Sequence, residues 1–149
     1  MADNQAELFK LHRAGQDKYA YFLLAAAGAA IAFALSQTKG AALAIPQIPL
    51  GLAVALWGAS FYSGCQHLHY VDSSLFTNAD LIRVESGAHP LTGRHPQAMQ
   101  IGSETLRQII DDQGRESQRW ARAQFRLLIS GALFYMGWHV LEMYLRTSA

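Results

Sequence analysis

A chain of 149 residues, 51% of them hydrophobic, has room for one compact unit and leaves too little polar sequence for a separate enzyme domain. Twelve basic residues stand against eleven acidic ones, a formal charge of +1, which gives no general electrostatic case for nucleic acid as a partner. The single cysteine, Cys65, excludes an internal disulfide and says nothing for an oxidising compartment.

The chain opens with a leader of mixed sign (Asp3, Glu7, Lys10, Arg13, Asp17, Lys18) whose Leu8 and Leu11, with residues 18–22, read as a helix running straight into an apolar run, Ala20 to Leu35. Small residues at Ala32, Ala34 and Ser36 resemble a signal-peptide cleavage site, but the long mixed-sign leader argues that this first span, about 20–36, is retained. Ala26, Ala30 and Ala34 recur at intervals of four beside Gly28, a face of small residues that lets another helix approach closely in lipid. The link from Ser36 to Gln47, with Lys39, Gly40 and Pro46, reads as a tight turn, and Pro49 suits the first turn of a second span, about 48–64. Near the end of that span Trp57, Phe61 and Tyr62 are expected to be interfacial aromatics.

From Gln66 to Arg126 the chain changes character and carries seven Arg and seven acids. Leu68, Val71, Leu75, Ala79 and Ile82 follow spacings of three and four, as one apolar stripe of a helix continuing from span two. Gly87 to Pro96, with two Gly, two Pro and two His, is the break, and Pro96 suits the first position of the next helix. Met99, Leu106, Ile109, Ile110 and Trp120 make a second stripe, interrupted by Asp111 to Glu116 and Gly114. Packed stripe to stripe, the two segments predict an antiparallel helical hairpin over about 65–126. The second segment then runs through Arg126 into a third apolar run, about 127–145, which contains no Asp, Lys or Arg and only Glu142 as an acid. A spanning helix needs roughly 20 mostly apolar residues, so the expectation is an all-α membrane protein of three transmembrane helices in one membrane domain, 1–149.

Orientation follows from the basic flanks. Lys10, Arg13 and Lys18 precede span one and Arg119, Arg122 and Arg126 precede span three, against Lys39 in the first link and Arg146 in the tail. The positive-inside rule then places the N-terminus and the hairpin in the cytoplasm of a cell bounded by a bacterial inner (plasma) membrane.

Candidate chemistry is sparse. Cys65, His69 and Asp72 share one helix face at i, i+4 and i+7, but three donors on one face lack the fourth ligand of a tetrahedral ion. His139 and Glu142, at i and i+3, are the polar residues set deepest in a span; such groups face protein or a water-filled cavity. They are the candidate pore or intramembrane polar pair, with Glu142 alternatively reaching water or Lys39. Arg119, Arg122 and Arg126 share a face suited to anionic headgroups, whereas Arg115 has Asp111 and Asp112 as intrahelical partners. Arg83 and His89 match the loose spacing of the HEPN ribonuclease motif, but Gly87 and Pro90 interrupt the helix that motif needs.

The run Asp17-Lys-Tyr-Ala-Tyr-Phe-Leu-Leu-Ala-Ala-Ala-Gly-Ala-Ala-Ile-Ala-Phe-Ala-Leu35 resembles the first span of small bacterial membrane proteins, and the layout of the chain is similar to the multi-pass proteins that accompany type VI CRISPR effectors. The resemblance implies an oligomeric membrane pore acting in antiviral defence. From the residues themselves the expectation is a non-enzymatic homo-oligomer, with no cofactor, that forms or gates a conduction path. The alternatives are a non-conducting scaffold recruiting a soluble partner through the hairpin, and a membrane-bound nuclease or metal-dependent enzyme using His67, His69, His89 or His95.

Overall fold

The structure, a computed structural model, describes residues 2–38 and 45–147, with side chains from residue 18 onward. Lys39 and Gly40 of the expected turn, and the side chains of Leu8, Leu11, Lys10, Arg13 and Asp17, lie outside the described residues. The described residues form helices and no strand: α1 (Ala2–Gln37), a 3₁₀ turn (Ile45–Gln47), α2 (Ile48–Glu85) and α3 (Pro96–Thr147), with a turn over 86–95 between the last two. Two stretches, Lys18–Gln37 and Ile45–Glu85, are long and apolar enough to cross a membrane. The third expected span, within α3, is not among them, since Trp138, His139, Glu142 and Arg146 dilute its apolar run.

The ends of the helices follow from local chemistry. At the end of α2, Gly87 N–H bonds Val84 O at 3.0 Å and Ala88 N–H bonds Arg83 O at 2.9 Å, a Schellman cap. The cap needs a left-handed residue, and Gly87 supplies φ +68°. His89 therefore lies beyond the helix that carries Arg83. Pro96 opens α3, where its missing N–H costs nothing. The helix then runs 52 residues, unbroken through Gly114.

Contacts divide the chain into two compact units, residues 1–65 with 121–149, and Gln66–Trp120. In the first, each helix buries one seam at alternating steps of three and four: Ala20, Leu23, Ala27, Ala30 and Ala34 on α1; Leu50, Ala53, Trp57, Ser60 and Gly64 on α2; Gln124, Leu128, Gly131, Tyr135 and Trp138 on α3. A 3.5-residue repeat is the period of left-handed knobs-into-holes packing. Trp57 is only 5% exposed, which corrects its expected interfacial position: its ring fills the seam, while Phe61 and Tyr62 face outward.

In the second unit, Thr77 Oγ1 donates to Gln113 Oε1 at 3.3 Å, Arg107 pairs with Glu85 at 2.9 Å, and His67 meets Ser117. Partner numbers thus fall along α3 as they rise along α2. The buried positions follow the apolar stripes expected from sequence only in part: Leu106 and Ile110 are half-buried as expected. Leu75, Ala79 and Ile82 are exposed and Ile109 is 39% exposed, while Leu81 and Val84 are buried. The seam instead runs His67, Tyr70, Ser74, Thr77, Leu81, Val84 against Ser103, Leu106, Ile110, Gln113 and Ser117. Polar side chains that hydrogen-bond across it occupy the places an amphipathic pattern assigns to aliphatics.

Candidate functional site

Polar groups of the first unit gather in two places. Midway along the α2/α3 contact, Ser60 Oγ donates to the carbonyl of Gln124 at 2.7 Å and Trp57 Nε1 donates to the carbonyl of Leu128 at 3.2 Å. Ser60 and Gln124 are essentially inaccessible to solvent. Glycines permit the approach: a Cβ on Gly131 would stand 2.6 Å from the Trp57 ring and 3.1 Å from Ala53 O, and one on Gly64 would stand 2.4 Å from Gln124 Nε2. Each helix thus sets a bulky side chain over a glycine of the other. Gln124 Nε2 finds no hydrogen-bond partner among the described residues.

The second place is a cavity of about 320 Å³ at the end of the unit where α1 stops and the 3₁₀ turn begins. Gln37, Thr38 and Gln47 line one side, and His139, Glu142 and Arg146 line another. Phe33, Tyr135 and Trp138 complete the wall: Phe33 meets Tyr135 in a T-shaped contact at 6.2 Å and Tyr135 meets Trp138 in a tilted one at 5.6 Å between centroids. Trp57 extends the aromatic group inward, 5.7 Å from Tyr135, and His139 lies 6.2 Å from Trp138. Glu142 accepts from Arg146 Nη2 at 2.6 Å, one helical turn on, so its partner is Arg146; Lys39 lies outside the described residues.

Of the residues singled out by sequence, His139 and Glu142 share this cavity with Gln37 and Thr38 at the end of α1 and Gln47 of the 3₁₀ turn. Ala34 is buried and Ala30 packs on the same core cluster, Ala26 is half-buried, and the fully buried neighbour is Ala27. Arg119 pairs with Glu116 at 2.6 Å and Arg115 with Asp112; Arg122 and Arg126 are exposed. Cys65, His69 and Asp72 are exposed as well, and no group of three metal-donor side chains is gathered among the described residues. His67 Nδ1 lies 2.9 Å from Ser117 Oγ and 3.0 Å from Ser117 O, and His89 Nδ1 accepts from Leu91 N at 3.3 Å.

Trp57, Ser60, Gln124 and Tyr135 carry both places yet stand outside any motif. The signal was the 3.5-residue recurrence of small, polar and aromatic residues. No protein-family model, curated protein or solved structure matches the chain.

Proposed function

We propose that the chain is a three-span helical protein of a bacterial inner membrane, N-terminus in the cytoplasm, that assembles as a homo-oligomer and forms or gates a pore without enzymatic chemistry. The observation that carries the membrane reading is inverted polarity. Phe22 (66%), Leu133 (59%) and Val140 (66%) face outward while Ser60 and Gln124 are sealed inside. Only 22% of the first apolar window and 33% of the second is buried. The core helix of a soluble protein buries its apolar face; here those faces are dressed for lipid, and the interior carries the small residues and interhelical hydrogen bonds on which helix association in lipid depends. The apolar part of α3, packed along α2 through Trp57 and Ser60, is the third span on this reading. The second unit is the cytosolic antiparallel hairpin.

Assembly follows from how the first unit is filled. Trp57, Ser60 and Gln124 occupy its seam, so conduction requires surfaces from several copies. His139 and Glu142, at the cavity, would stand at the mouth of such a path, where polar groups in a span are retained at a cost of a few kcal/mol on insertion scales. The antiviral role implied by the resemblance belongs to the same proposal. Ion flux through proteoliposomes tests it: wild-type protein should leak ions, and His139→Ala or Glu142→Gln should change flux or selectivity with insertion intact. Vesicles that stay tight, also with a native partner, overturn conduction.

One observation favours the scaffold as second reading. Phe76 (68%), Ile82 (62%) and Ile101 (66%) are exposed on the second unit, and apolar groups facing water mark a surface for a soluble partner.

A further inference from the structure

We infer that the cavity between α1 and α3 is a binding site for a zwitterion, an ammonium group joined to a phosphate as in the headgroup of phosphatidylethanolamine; the inference rests on the membrane reading above and names the ligand of the same site. Charge balance carries it. The cavity lining holds one acid, Glu142, and one permanent base, Arg146, and the two already satisfy each other at 2.6 Å. A lone cation must displace Arg146 from the carboxylate, and a lone anion must displace Glu142 from the guanidinium. A zwitterion lets both partners separate and re-pair at once, replacing one ion pair with two. The Arg146 side chain is 78% exposed, so it can swing away from Glu142 with its guanidinium still solvated, and an i,i+4 pair with one solvent-exposed partner holds weakly.

The remaining lining discriminates between the two ends of such a ligand. Tyr135 and Trp138, which stand on α3 with Glu142, present aromatic surface that suits an ammonium through attraction to the ring quadrupole. The amides of Gln37 and Gln47 suit phosphate oxygens as hydrogen-bond donors, whereas the Thr38 hydroxyl already donates to the carbonyl of Leu35 at 3.1 Å. Size and depth agree. About 320 Å³ is at the small end of the roughly 300–1,000 Å³ of ligand pockets, room for a headgroup with its acyl chains left outside along exposed Leu35 and Met143. The cavity also sits where α1 ends, which in a spanning helix is headgroup depth, the level that amphipathic aromatics prefer. On the pore reading, a headgroup here occupies the mouth and ties conduction to lipid composition.

Native mass spectrometry of the full chain, released from micelles holding equal phosphatidylethanolamine and phosphatidylglycerol, reads the site directly. The expected result is roughly tenfold preferential retention of phosphatidylethanolamine, which corresponds to about 1.4 kcal/mol. Glu142→Gln should bring the two lipids near parity, Arg146→Gln should lower retention of both, and Glu104→Gln on the second unit should change nothing. Soluble glycerophosphoethanolamine at millimolar concentration distinguishes the source: competition assigns the site to a free zwitterion, and its failure to compete assigns it to the lipid. Equal retention of both lipids by detergent-dependent protein, or a preference that survives Glu142→Gln, overturns the zwitterion site alone. A chain that stays in solution without detergent and retains neither lipid overturns the membrane reading with it.

Discussion

The indole of Trp57 lies directly over Gly131, so close that a single methyl group there would meet the ring at 2.6 Å. The same indole donates to the carbonyl of Leu128, one turn earlier on α3. The close approach of the indole to the glycine and the hydrogen bond beside it fix the register of α2 on α3. Gly131→Ala should therefore destabilise the first unit by about 1–3 kcal/mol, the usual cost of overpacking, and the Ala53 carbonyl at 3.1 Å blocks the methyl from the backbone side. Thermal denaturation in detergent checks this. Gly64→Ala should cost less, because the atoms it meets first are the far ends of the Gln124 and Leu24 side chains, which can swing aside.

Gln124 makes an opposite prediction. Its Nε2 is buried without a partner among the described residues, which costs roughly 1–3 kcal/mol, while the bond from Ser60 uses its main-chain carbonyl. Gln124→Met keeps the volume and the carbonyl and discards the orphan amide. Stability should stay level or rise, and a clear loss of melting temperature would mean that the amide has a role in the assembled protein.

On α1 the contact face can be tested residue by residue. Ala27 is fully buried and Ala29 is exposed. Ala27→Leu should disrupt helix packing at a cost of about 1–3 kcal/mol, Ala30→Leu should follow in the same direction, and Ala29→Leu should be neutral when oligomer size and melting are compared in detergent.

For the second unit, Leu81→Ala and Val84→Ala should loosen the pairing of α2 with α3, the leucine by about 2–5 kcal/mol if its site cannot collapse, whereas Leu75→Asp should be tolerated in one copy. Cysteines introduced at positions 77 and 113 in a Cys65→Ser background should crosslink readily, and those at 75 and 109 should not. Limited proteolysis reads the first pair of variants and gel mobility the second.

How these seams escape a hydropathy reading is instructive. The helices themselves, their all-α class and the break at Gly87 to Pro96 follow from long apolar runs and from turn chemistry that acts within a few residues. The packing faces do not, because the contacts are carried by small and polar residues as much as by aliphatic ones. Leu52, Phe61, Ile129 and Leu133 are among the most apolar positions and all face outward, while Ser60, Gly64 and Gln124 line the contact. Ala30 and Ala34 were legible as a close-approach face because small size is the signal there. His139 and Glu142 stood out as polar residues in an apolar run; that they share a cavity with Gln37, Thr38 and Gln47 depends on residues about 90 to 100 positions away in sequence, a closeness only the folded helices supply. Leu75 and Ile82 are exposed for a further reason: Thr77 and His67 find hydrogen-bond partners across the hairpin seam and Ser74 finds one on its own helix, so polar character did not keep that face in water.

Whether the outward faces of the helices meet lipid or water decides the proposed fold, pore and headgroup site together. Spin labels placed singly at positions 52, 129 and 133 in reconstituted protein, with a label at 104 for reference, measure this through relaxation by dissolved oxygen and by a water-soluble nickel chelate. Labels at 52, 129 and 133 should respond to oxygen and not to the chelate, and the label at 104 should respond to the chelate. Chelate access at 52, 129 and 133 equal to that at 104 would place these faces in water, and would contradict the membrane fold together with the pore and headgroup site built on it.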